Sequence, residues 1–367
     1  MSHFSNNKIT TLQAYILYLA VAGSMLSFIS VHLLLNMSKR DAFASSVIGS
    51  LLFLIYSFWL FRLLKSQRSG RSFIMDLEQS LGRLIVKGIK IWIAIFLLIE
   101  MFLINYHETT LVKSMVISYT PEWAIALPFL FTCAYLAVKG IKPIAIFASI
   151  LFPAIIVFYL LQSLFTAKIA HYSLLLPLFS EGIFSILEGA ALIFSNMAHL
   201  FILMLITNHT QGSFRWKPFG AIILLTIFSV INATVSLITT FGAFEASQQR
   251  FPIYSLWRLV RISSYVEHMD FLILFQNLSS TIVTIALDLF LVSNILEFKN
   301  LYKKIVVIIV TIFLIATVMI HLNDQDIILV TKRYFFPFSA LSILCWTALA
   351  QFAVSKRGGI RRSSKMQ

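Results

Sequence analysis

Charged residues are scarce in this chain of 367 residues. Asp, Glu, Lys and Arg together make up 12% of it, whereas hydrophobic residues make up 59%. Soluble domains carry about 25% charged residues, so most of this chain cannot be the surface of a soluble protein. The apolar runs are long and unbroken, whereas the strands of a membrane barrel would alternate in period two with frequent turn signals. The sequence therefore predicts an all-α integral membrane protein.

Cysteine is also scarce. The two cysteines, Cys133 and Cys345, each lie inside an apolar run, which argues against a disulfide framework or a metal cluster. The sequence has no nucleotide-binding glycine loop, zinc-ligand spacing or nucleophile elbow. We therefore expect no enzyme, no cofactor and no metal. The first apolar segment is not followed by a small-residue cleavage site, so we expect no removable signal peptide.

Ten apolar segments between charged or turn-rich breaks predict ten transmembrane helices. They cover approximately residues 11–35, 42–61, 91–106, 122–138, 143–164, 183–206, 218–242, 271–296, 305–322 and 334–354. We expect one transmembrane domain over residues 1–367, with spans 1–5 (about 11–164) and spans 6–10 (about 183–354) as two repeats. Residues 355–367 would form a basic cytoplasmic tail.

Acidic residues are outnumbered by basic ones, 15 to 29, which gives a net charge of +14. Most of the cations fall in the segments that lie inside if the N-terminus is cytoplasmic, so both termini are predicted to face the cytoplasm. Anionic lipid headgroups are the expected counter-charge. Nucleic-acid binding is not expected, because none of the loops is long enough for a folded basic domain.

Two spans carry small or polar residues near their centres. Span 1 has Gly23 and Ser24, and span 6 has Ser195 and Asn196 after Phe194. Interruptions at equivalent places in two halves are typical of an inverted-repeat transporter, whose broken helices hold a ligand near the bilayer midplane. Alternatively, Gly and Ser only allow close helix contact, and for span 1 alone we favour that interpretation.

Span 6 has one polar face. Glu188, Ser195 and His199 follow offsets of seven and four, and Asn196 precedes His199 by three residues. These spacings place the four side chains on one side of a helix. We interpret this face as part of a site for a small polar molecule.

Span 8 carries a similar stripe, and span 3 carries a lone acid. The stripe consists of Asn277, Thr281, Thr284 and Asp288. A carboxylate inside the membrane costs about 2.5–3.5 kcal/mol and normally meets a partner or a wet cavity. For Glu100 in span 3, the candidate partners are His107, His199 and water. Asp288 and Glu100 either form a ligand or proton site, or are protonated and hydrogen-bond neighbouring helices.

The polar segment 243–268 is predicted to form an amphipathic lid or an interfacial helix between spans 7 and 8. Leu256, Leu259 and Val260 would lie on one side of this helix and Arg258 on another. A lid ion pair could join Arg258 to Glu267 or Asp270. A plain surface helix at the lipid headgroups is an equal alternative.

Several motifs resemble those of a known family. They are TPEW at 120–123, KGIKPIA at 139–145, ILFPAII at 150–156 and LLLPLFSEGI at 174–183. The most specific is RFPIYSLWRLVRISSYVEHMDFL at 250–272, in which Pro252, Tyr254, Leu256, Arg258, Ile262, Glu267 and Asp270 match a long motif at identical spacing. The chain resembles the permease-like B subunits of bacterial spore germinant receptors, in the amino acid–polyamine–organocation transporter superfamily. One departure is span 6, where Ser195–His199 replaces a Phe-Pro-Phe-Gly-Glu-like break.

The resemblance implies a fold like that of leucine-type transporters, with broken helices 1 and 6 and a ligand pocket among spans 1, 3, 6 and 8. It also implies a sensor of small nutrients, such as amino acids, in the inner membrane of a dormant spore. Its partners would be an A subunit and a lipoprotein C subunit. The candidate ligand-binding residues are Gly23, Ser24, Glu100, Phe194, Ser195, Asn196, His199, Thr281, Thr284 and Asp288.

Two other hypotheses remain open at this point. A proton-coupled amino-acid transporter would use Glu100, His199 or Asp288 as a proton relay. A scaffold with a vestigial pocket would bind nothing.

Overall fold

The computed structural model describes residues 8–26, 30–66, 73–260, 269–297, 300–320 and 322–363. Nearly all of this part of the chain is helical, because apolar side chains in a membrane require the backbone to satisfy its own hydrogen bonds. The α-helices are, in chain order, α1 (Thr11–Met25), α2 (Val31–Ser38), α3 (Ala42–Ser66), α4 (Phe73–Leu81), α5 (Arg83–Met115), α6 (Glu122–Lys139), α7 (Ile141–Ile169) and α8 (Ile183–Met197). They are followed by α9 (Ile202–Leu205), α10 (Trp216–Phe241), α11 (Ala243–Gln248), α12 (Pro252–Arg258), α13 (Asp270–Ile295), α14 (Asn300–Met319), α15 (Asp324–Val330) and α16 (Phe336–Ser363).

The predicted spans all coincide with helical segments, so the all-α membrane fold is confirmed. Among the described residues, eight helical stretches are long and apolar enough to cross a membrane. They are 31–66, 122–139, 141–169, 183–205, 216–241, 270–295, 301–319 and 324–356. The 33-residue α5 also exceeds the roughly 20 residues that a span requires. Helix α16 continues to Ser363, so most of the predicted tail extends the last helix.

The predicted interruption of the first span does not lie at Gly23 and Ser24. Both residues are inside α1, which ends at Met25, and α2 begins at Val31. The helix continues through this point because the Ser24 hydroxyl donates to the Val21 carbonyl at 2.9 Å, a bond that serine makes within helices. Residues 27–29 lie outside the described part of the chain.

The sixth span changes its helical geometry just after the predicted position. Helix α8 ends at Met197, residues Ala198–Phe201 form a 3₁₀ turn, and α9 follows. Ser195 and Asn196 are therefore helical and lie one turn before the tightened segment. A mid-helix 3₁₀ stretch often marks a hinge, here without the proline and glycine that the family commonly has.

Helices α3 and α8 approach each other closely through two glycines. A Cβ atom on Gly49 would lie 2.7 Å from the Ala190 carbonyl oxygen, and one on Gly189 would lie 2.8 Å from Ser45 Cβ. Both distances are too short for a real side chain. Small residues at such positions allow helix backbones to pack tightly within a membrane, so the first half of span 6 is fixed against α3.

The segment before α1 contacts the segment after α9. Ile9–Thr10 (β1) and Thr210–Gln211 (β2) form a short parallel pair. Thr10 also caps α1, since its hydroxyl accepts from the Gln13 backbone N–H at 3.2 Å while the Gln13 side chain accepts from the Thr10 N–H. This reciprocal arrangement stabilises the start of a helix. Spans 1 and 6 are therefore joined at one end.

The predicted single amphipathic helix over 243–268 is wrong in two respects. The described part of this segment contains two short helices, α11 and α12. Leu256 and Val260 are buried, but Leu259 is 45% exposed and does not share their side. The link between α11 and α12 arises because Pro252 begins α12 and disfavours a helical residue before it.

The predicted lid ion pair of Arg258 is not formed with Asp270. Asp270 instead accepts a hydrogen bond from the Tyr254 hydroxyl at 2.8 Å, and Arg258 is exposed. Burial raises the pKa of Tyr254 to about 12, so this hydroxyl remains a donor at neutral pH. Glu267 lies outside the described residues.

Candidate ligand site

Helices α1, α8 and α13 meet through polar side chains in the middle of the bundle. Ser24 and Thr284 hydroxyl oxygens lie 3.1 Å apart. The Asn196 amide nitrogen donates to the Ser30 hydroxyl at 3.0 Å, and Ser30 donates to the Met25 carbonyl at 3.1 Å. Spans 1, 6 and 8 are therefore in direct polar contact, as the family resemblance implied.

A second polar group joins α5 to the end of span 6. His199 Nε2 lies 3.3 Å from Glu100 Oε1, so His199 rather than His107 is the partner of Glu100. His199 Nδ1 lies 3.0 Å from the Ser195 carbonyl and 2.9 Å from the Asn196 carbonyl. Two carbonyl acceptors require the proton on Nδ1. Nε2 and Glu100 Oε1 lie within ion-pair distance, but neither atom makes a hydrogen bond among the described residues.

Asp288 on α13 completes this carboxylate cluster, which we define as Glu100, His199 and Asp288. Asp288 is fully buried, and neither of its oxygens has a hydrogen-bond partner among the described residues. It is close enough to Glu100 for the two carboxyl groups to interact electrostatically. Buried polar groups without partners are rare in native proteins and point to strain, to function or to a bound species.

Glu108 on α5 is a buried acid that the sequence reasoning missed. The Thr281 hydroxyl donates to Glu108 Oε2 at 3.2 Å, and Oε1 has no partner within the described chain. Glu108 follows Glu100 by eight residues, which places both on one face of α5. A search for polar residues on the same face as Glu100, continued past the end of the predicted span at residue 106, would have found Glu108. Thr281 thus contacts an acid on α5.

A cavity of about 140 Å³ lies beside these contacts, bounded mainly by α1, α7, α10 and α13. Gly23 and Asn196 line it, together with Gln276 and apolar residues. Asn196 is 1% exposed, and its Oδ1 has no hydrogen-bond partner in the described structure. The Gln276 Oε1 atom is also buried without a partner there. Two residues of the cavity lining therefore each carry a buried side-chain oxygen without a hydrogen-bond partner among the described residues.

Most of the predicted site residues lie outside this cavity. The Ser195 hydroxyl donates to the Phe336 carbonyl at 3.1 Å, and the Phe194 ring contacts Tyr56 with centroids 5.7 Å apart. The carboxylate cluster is also separate from the cavity lining. The cavity walls on α7 and α10, which belong to spans 5 and 7, were not predicted, because apolar lining residues carry no sequence signal that distinguishes them from ordinary membrane helices.

A third polar group, which we call the outer cluster, lies on the predicted outer side. Arg250, in the link between α11 and α12, binds both oxygens of Asp324 at 2.7 and 2.8 Å and donates to His107 Nδ1 at 2.7 Å. Beside it, His32 Nδ1 lies 2.7 Å from the Gln249 carbonyl. The outer cluster joins α2, α5, the α11–α12 link and the start of α15.

Comparisons with known proteins agree with this architecture. Spore germination protein XB of Bacillus anthracis is 25% identical over 340 residues, which cover 92% of this chain and 95% of that protein. A Bacillus subtilis (strain 168) spore germination protein, YfkT, is 26% identical over 71% of both chains. The crystal structure of MhsT in complex with L-phenylalanine superposes with a TM-score of 0.65 at 12% identity, and the match covers 95% of this chain and 96% of MhsT.

The likeness to MhsT confirms the predicted leucine-transporter-like fold. A family model for spore germination proteins, the spore permeases, matches residues 8–327. Helical membrane spans, the transporter fold and the family match all describe an integral membrane protein of permease type. The chain belongs to the spore germination permease family, and its resemblance to the B subunits of germinant receptors is confirmed.

Proposed function

We propose that this B subunit senses a nutrient germinant by binding a small polar molecule in the cavity beside Gly23 and Asn196. An A subunit and a lipoprotein C subunit in the inner membrane of the dormant spore would read out the binding. Both termini would face the cytoplasm. The proposal is supported above all by Asn196, which lines the cavity, bonds Ser30 of the first span and carries a side-chain oxygen without a hydrogen-bond partner among the described residues.

The orientation of the Asn196 amide determines what the ligand must offer. Ser30 uses its hydroxyl hydrogen to bond the Met25 carbonyl, so its oxygen can only accept from the Asn196 NH₂ group. Asn196 Oδ1 is therefore the atom left for the cavity, and it accepts hydrogen bonds. The ligand must supply an N–H or O–H donor.

The size and lining of the cavity limit the rest of the ligand. A volume of about 140 Å³ is close to that of a cavity of about 150 Å³ that accommodates benzene. The walls are mostly apolar, with Phe152 and Tyr159 on α7. An amino acid with an apolar side chain, whose ammonium group donates to Asn196 and Gln276, fits these features.

Binding at Asn196 can reach the rest of the protein through span 6. Asn196 lies at the end of α8, directly before the 3₁₀ turn, and Ser195 bonds the Phe336 carbonyl on the last span. A ligand that pulls on this turn would favour one of two arrangements of span 6 relative to α1 and α16. The partner subunits would respond to that shift.

The test is the germinant dose-response of spores that carry Asn196→Leu. A pocket residue that bonds its ligand should shift the half-maximal nutrient concentration upward by about 10–100-fold, since leaving out one buried hydrogen bond costs about 1–3 kcal/mol. Asn232→Leu is the matched control, because Asn232 bonds Ser163 on α7 but does not line the cavity. Equal responses of both variants and the wild type, at equal protein levels, would favour a scaffold with a vestigial pocket.

A second candidate function, proton-coupled transport of an amino acid, is favoured by the carboxylate cluster. Glu100 and His199 bring two ionisable side chains into contact inside the bundle, and Asp288 interacts electrostatically with Glu100. The purified chain in liposomes should take up labelled amino acids along an imposed proton gradient if it is a transporter. We expect no gradient-driven uptake from the B subunit alone.

A further inference from the structure

A groove on the side of the helix bundle contains charged residues that lie outside the candidate ligand cavity, among them Glu188, which the sequence had placed on the polar face of span 6. It lies between α8 and the helix formed by α15 and α16, and its volume is about 570 Å³. Glu188 lies on the α8 wall, and Lys332 and Arg333 lie on the opposite wall. The rest of the lining is largely apolar and includes Leu192, Leu329, Phe336 and Ala340.

The charged groups of this groove, Glu188, Lys332 and Arg333, form no ion pair among the described residues, although the Arg333 guanidinium lies 6.0 Å from the centre of the neighbouring Tyr334 ring. Glu188 and Arg333 are exposed, and Lys332 is half-buried. Ionisable side chains within membrane helices normally pair with one another or reach a polar layer. Here the two signs face one space without touching, which leaves room for a ligand with both charges.

The backbone of the cationic wall has an unusual conformation. Residues Thr331–Phe335 form a π-helical turn, in which the Phe336 N–H donates to the Thr331 carbonyl five residues earlier. Pro337 follows and has no N–H to donate to the Arg333 carbonyl. Such wide turns occur frequently at functional sites, and this one carries Lys332 and Arg333.

The groove lies near the first residues of α8 and the last residues of α2. Glu188 is five residues after Ile183, the first residue of α8, and is therefore about 7–8 Å from that end at 1.5 Å per residue. Met37, near the end of α2, lines the same groove. The headgroup layer on each side of a bilayer is about 5–8 Å thick. If α8 begins at the outer edge of this layer, Glu188 lies where headgroups meet acyl chains.

We propose that this groove binds the headgroup of an aminophospholipid. The phosphate lies between Lys332 and Arg333, and the primary ammonium lies on the Glu188 carboxylate, while the acyl chains cover the apolar wall at Leu329. An anionic phospholipid without an amine satisfies only the cations and leaves Glu188 close to its phosphate. A quaternary ammonium offers no N–H to Glu188.

The lipid would act on the same helix as the nutrient. Leu192 lines the groove one turn before Asn196, and Phe336 lines it while its carbonyl accepts the Ser195 hydroxyl. A headgroup that bridges Glu188 to Lys332 and Arg333 therefore holds α8 against α16. The proposal does not depend on nutrient binding, and its test uses no nutrient.

The experiment measures lipid retention by the purified full-length chain. Nanodiscs are prepared from equal amounts of phosphatidylethanolamine, phosphatidylglycerol and phosphatidylcholine with identical acyl chains, and the lipids that remain bound after release are counted by native mass spectrometry. We expect phosphatidylethanolamine to be enriched about fivefold over the other two. Glu188→Gln should abolish the preference for phosphatidylethanolamine over phosphatidylglycerol. Lys332→Gln should lower the retention of both phosphatidylethanolamine and phosphatidylglycerol.

Control variants separate this effect from general charge and from folding. Lys168→Gln removes a cation at the end of α7, away from the groove, and should leave the enrichment unchanged. If Glu188→Gln does not fold, Glu188→Asp is the alternative variant. It keeps the carboxylate and should retain part of the phosphatidylethanolamine enrichment. Equal retention of the three lipids, a preference for phosphatidylglycerol that Glu188→Gln leaves unchanged, or displacement of the lipid by free amino acids would each overturn the proposal.

Discussion

The outer cluster and the mid-membrane polar groups use similar residue types in opposite ways. In the outer cluster, Arg250 bonds both oxygens of Asp324 and one ring nitrogen of His107. In the carboxylate cluster, Asp288 has no hydrogen-bond partner among the described residues. Paired charges at a helix boundary fix the helices that they join, whereas unpaired polar atoms at mid-membrane leave bonding capacity for something else.

The difference indicates that the outer cluster stabilises the fold and that the mid-membrane polar groups serve binding. The outer cluster holds α2, α5 and α15 together, so its loss should reduce stability. The mid-membrane groups lie on α5, α8 and α13, which are fixed elsewhere by packing, so their loss should change binding more than stability. The predictions that follow test this distinction.

The largest expected effect on stability is that of Arg250→Met. The substitution leaves Asp324 and His107 without their shared donor, and we expect a loss of about 2–4 kcal/mol, less than for a fully buried pair because Asp324 is 35% exposed. Thermal unfolding of the purified protein in detergent measures it. Arg258→Met is the control, since Arg258 is exposed. Equal melting temperatures for the two variants would show that the outer cluster does not hold the helices together.

The next largest loss of stability is expected for a substitution at the close contact between α3 and α8. Gly49→Ala places a methyl group 2.7 Å from the Ala190 carbonyl, and we expect a loss of about 1–3 kcal/mol from forced separation of the helices. Gly88→Ala in α5 meets no atom within 4 Å and should be neutral or stabilising. If Gly49→Ala melts at the same temperature as Gly88→Ala, packing against α3 does not fix span 6.

Asp288→Asn should have a small effect of the opposite sign. It replaces a buried, unpaired carboxyl group by a neutral amide of the same shape, so we expect stability to stay the same or to rise by about 1 kcal/mol. Under the sensing proposal the germinant dose-response should remain within about threefold of the wild type, since Asp288 does not line the cavity. Complete loss of germination in spores with normal protein levels would instead favour proton coupling through this residue.

A loss smaller than those of Arg250→Met and Gly49→Ala is expected for Tyr254→Phe, which removes one hydrogen bond to Asp270 and should cost about 0.5–1.5 kcal/mol. Burial raises the pKa of Tyr254 to about 12, above the usual value near 10. The contribution of this raised pKa is therefore complete below pH 10 and is lost as the pH rises from 10 to 12. A difference between wild type and variant that varies between pH 6 and 9 would contradict this assignment.

The sequence predicted the helices well because their signal is local. Apolar runs located segments that are helical in the structure, and eight helical stretches among the described residues are long and apolar enough to span a membrane. His199 was one of three partners considered for Glu100, and the structure places it there. Period and hydrophobicity are properties of neighbouring residues, so they can be read without knowledge of the fold.

The site was predicted less completely because it depends on contacts between distant segments. Arg250 pairs with Asp324, 74 positions later, and no spacing rule connects them. The cavity walls on α7 are apolar and resemble any lipid-facing helix surface. The predicted lid ion pair between Arg258 and Asp270 is not formed. Asp270 accepts a hydrogen bond from the nearby Tyr254 hydroxyl instead.

The most direct test of the central claim is a structure of the receptor with the nutrient that triggers germination. The claim predicts ligand density between α1, α8 and α13, with a donor atom within about 3 Å of Asn196 Oδ1. Density among Glu100, His199 and Asp288, with the cavity beside Gly23 left unchanged, would contradict it.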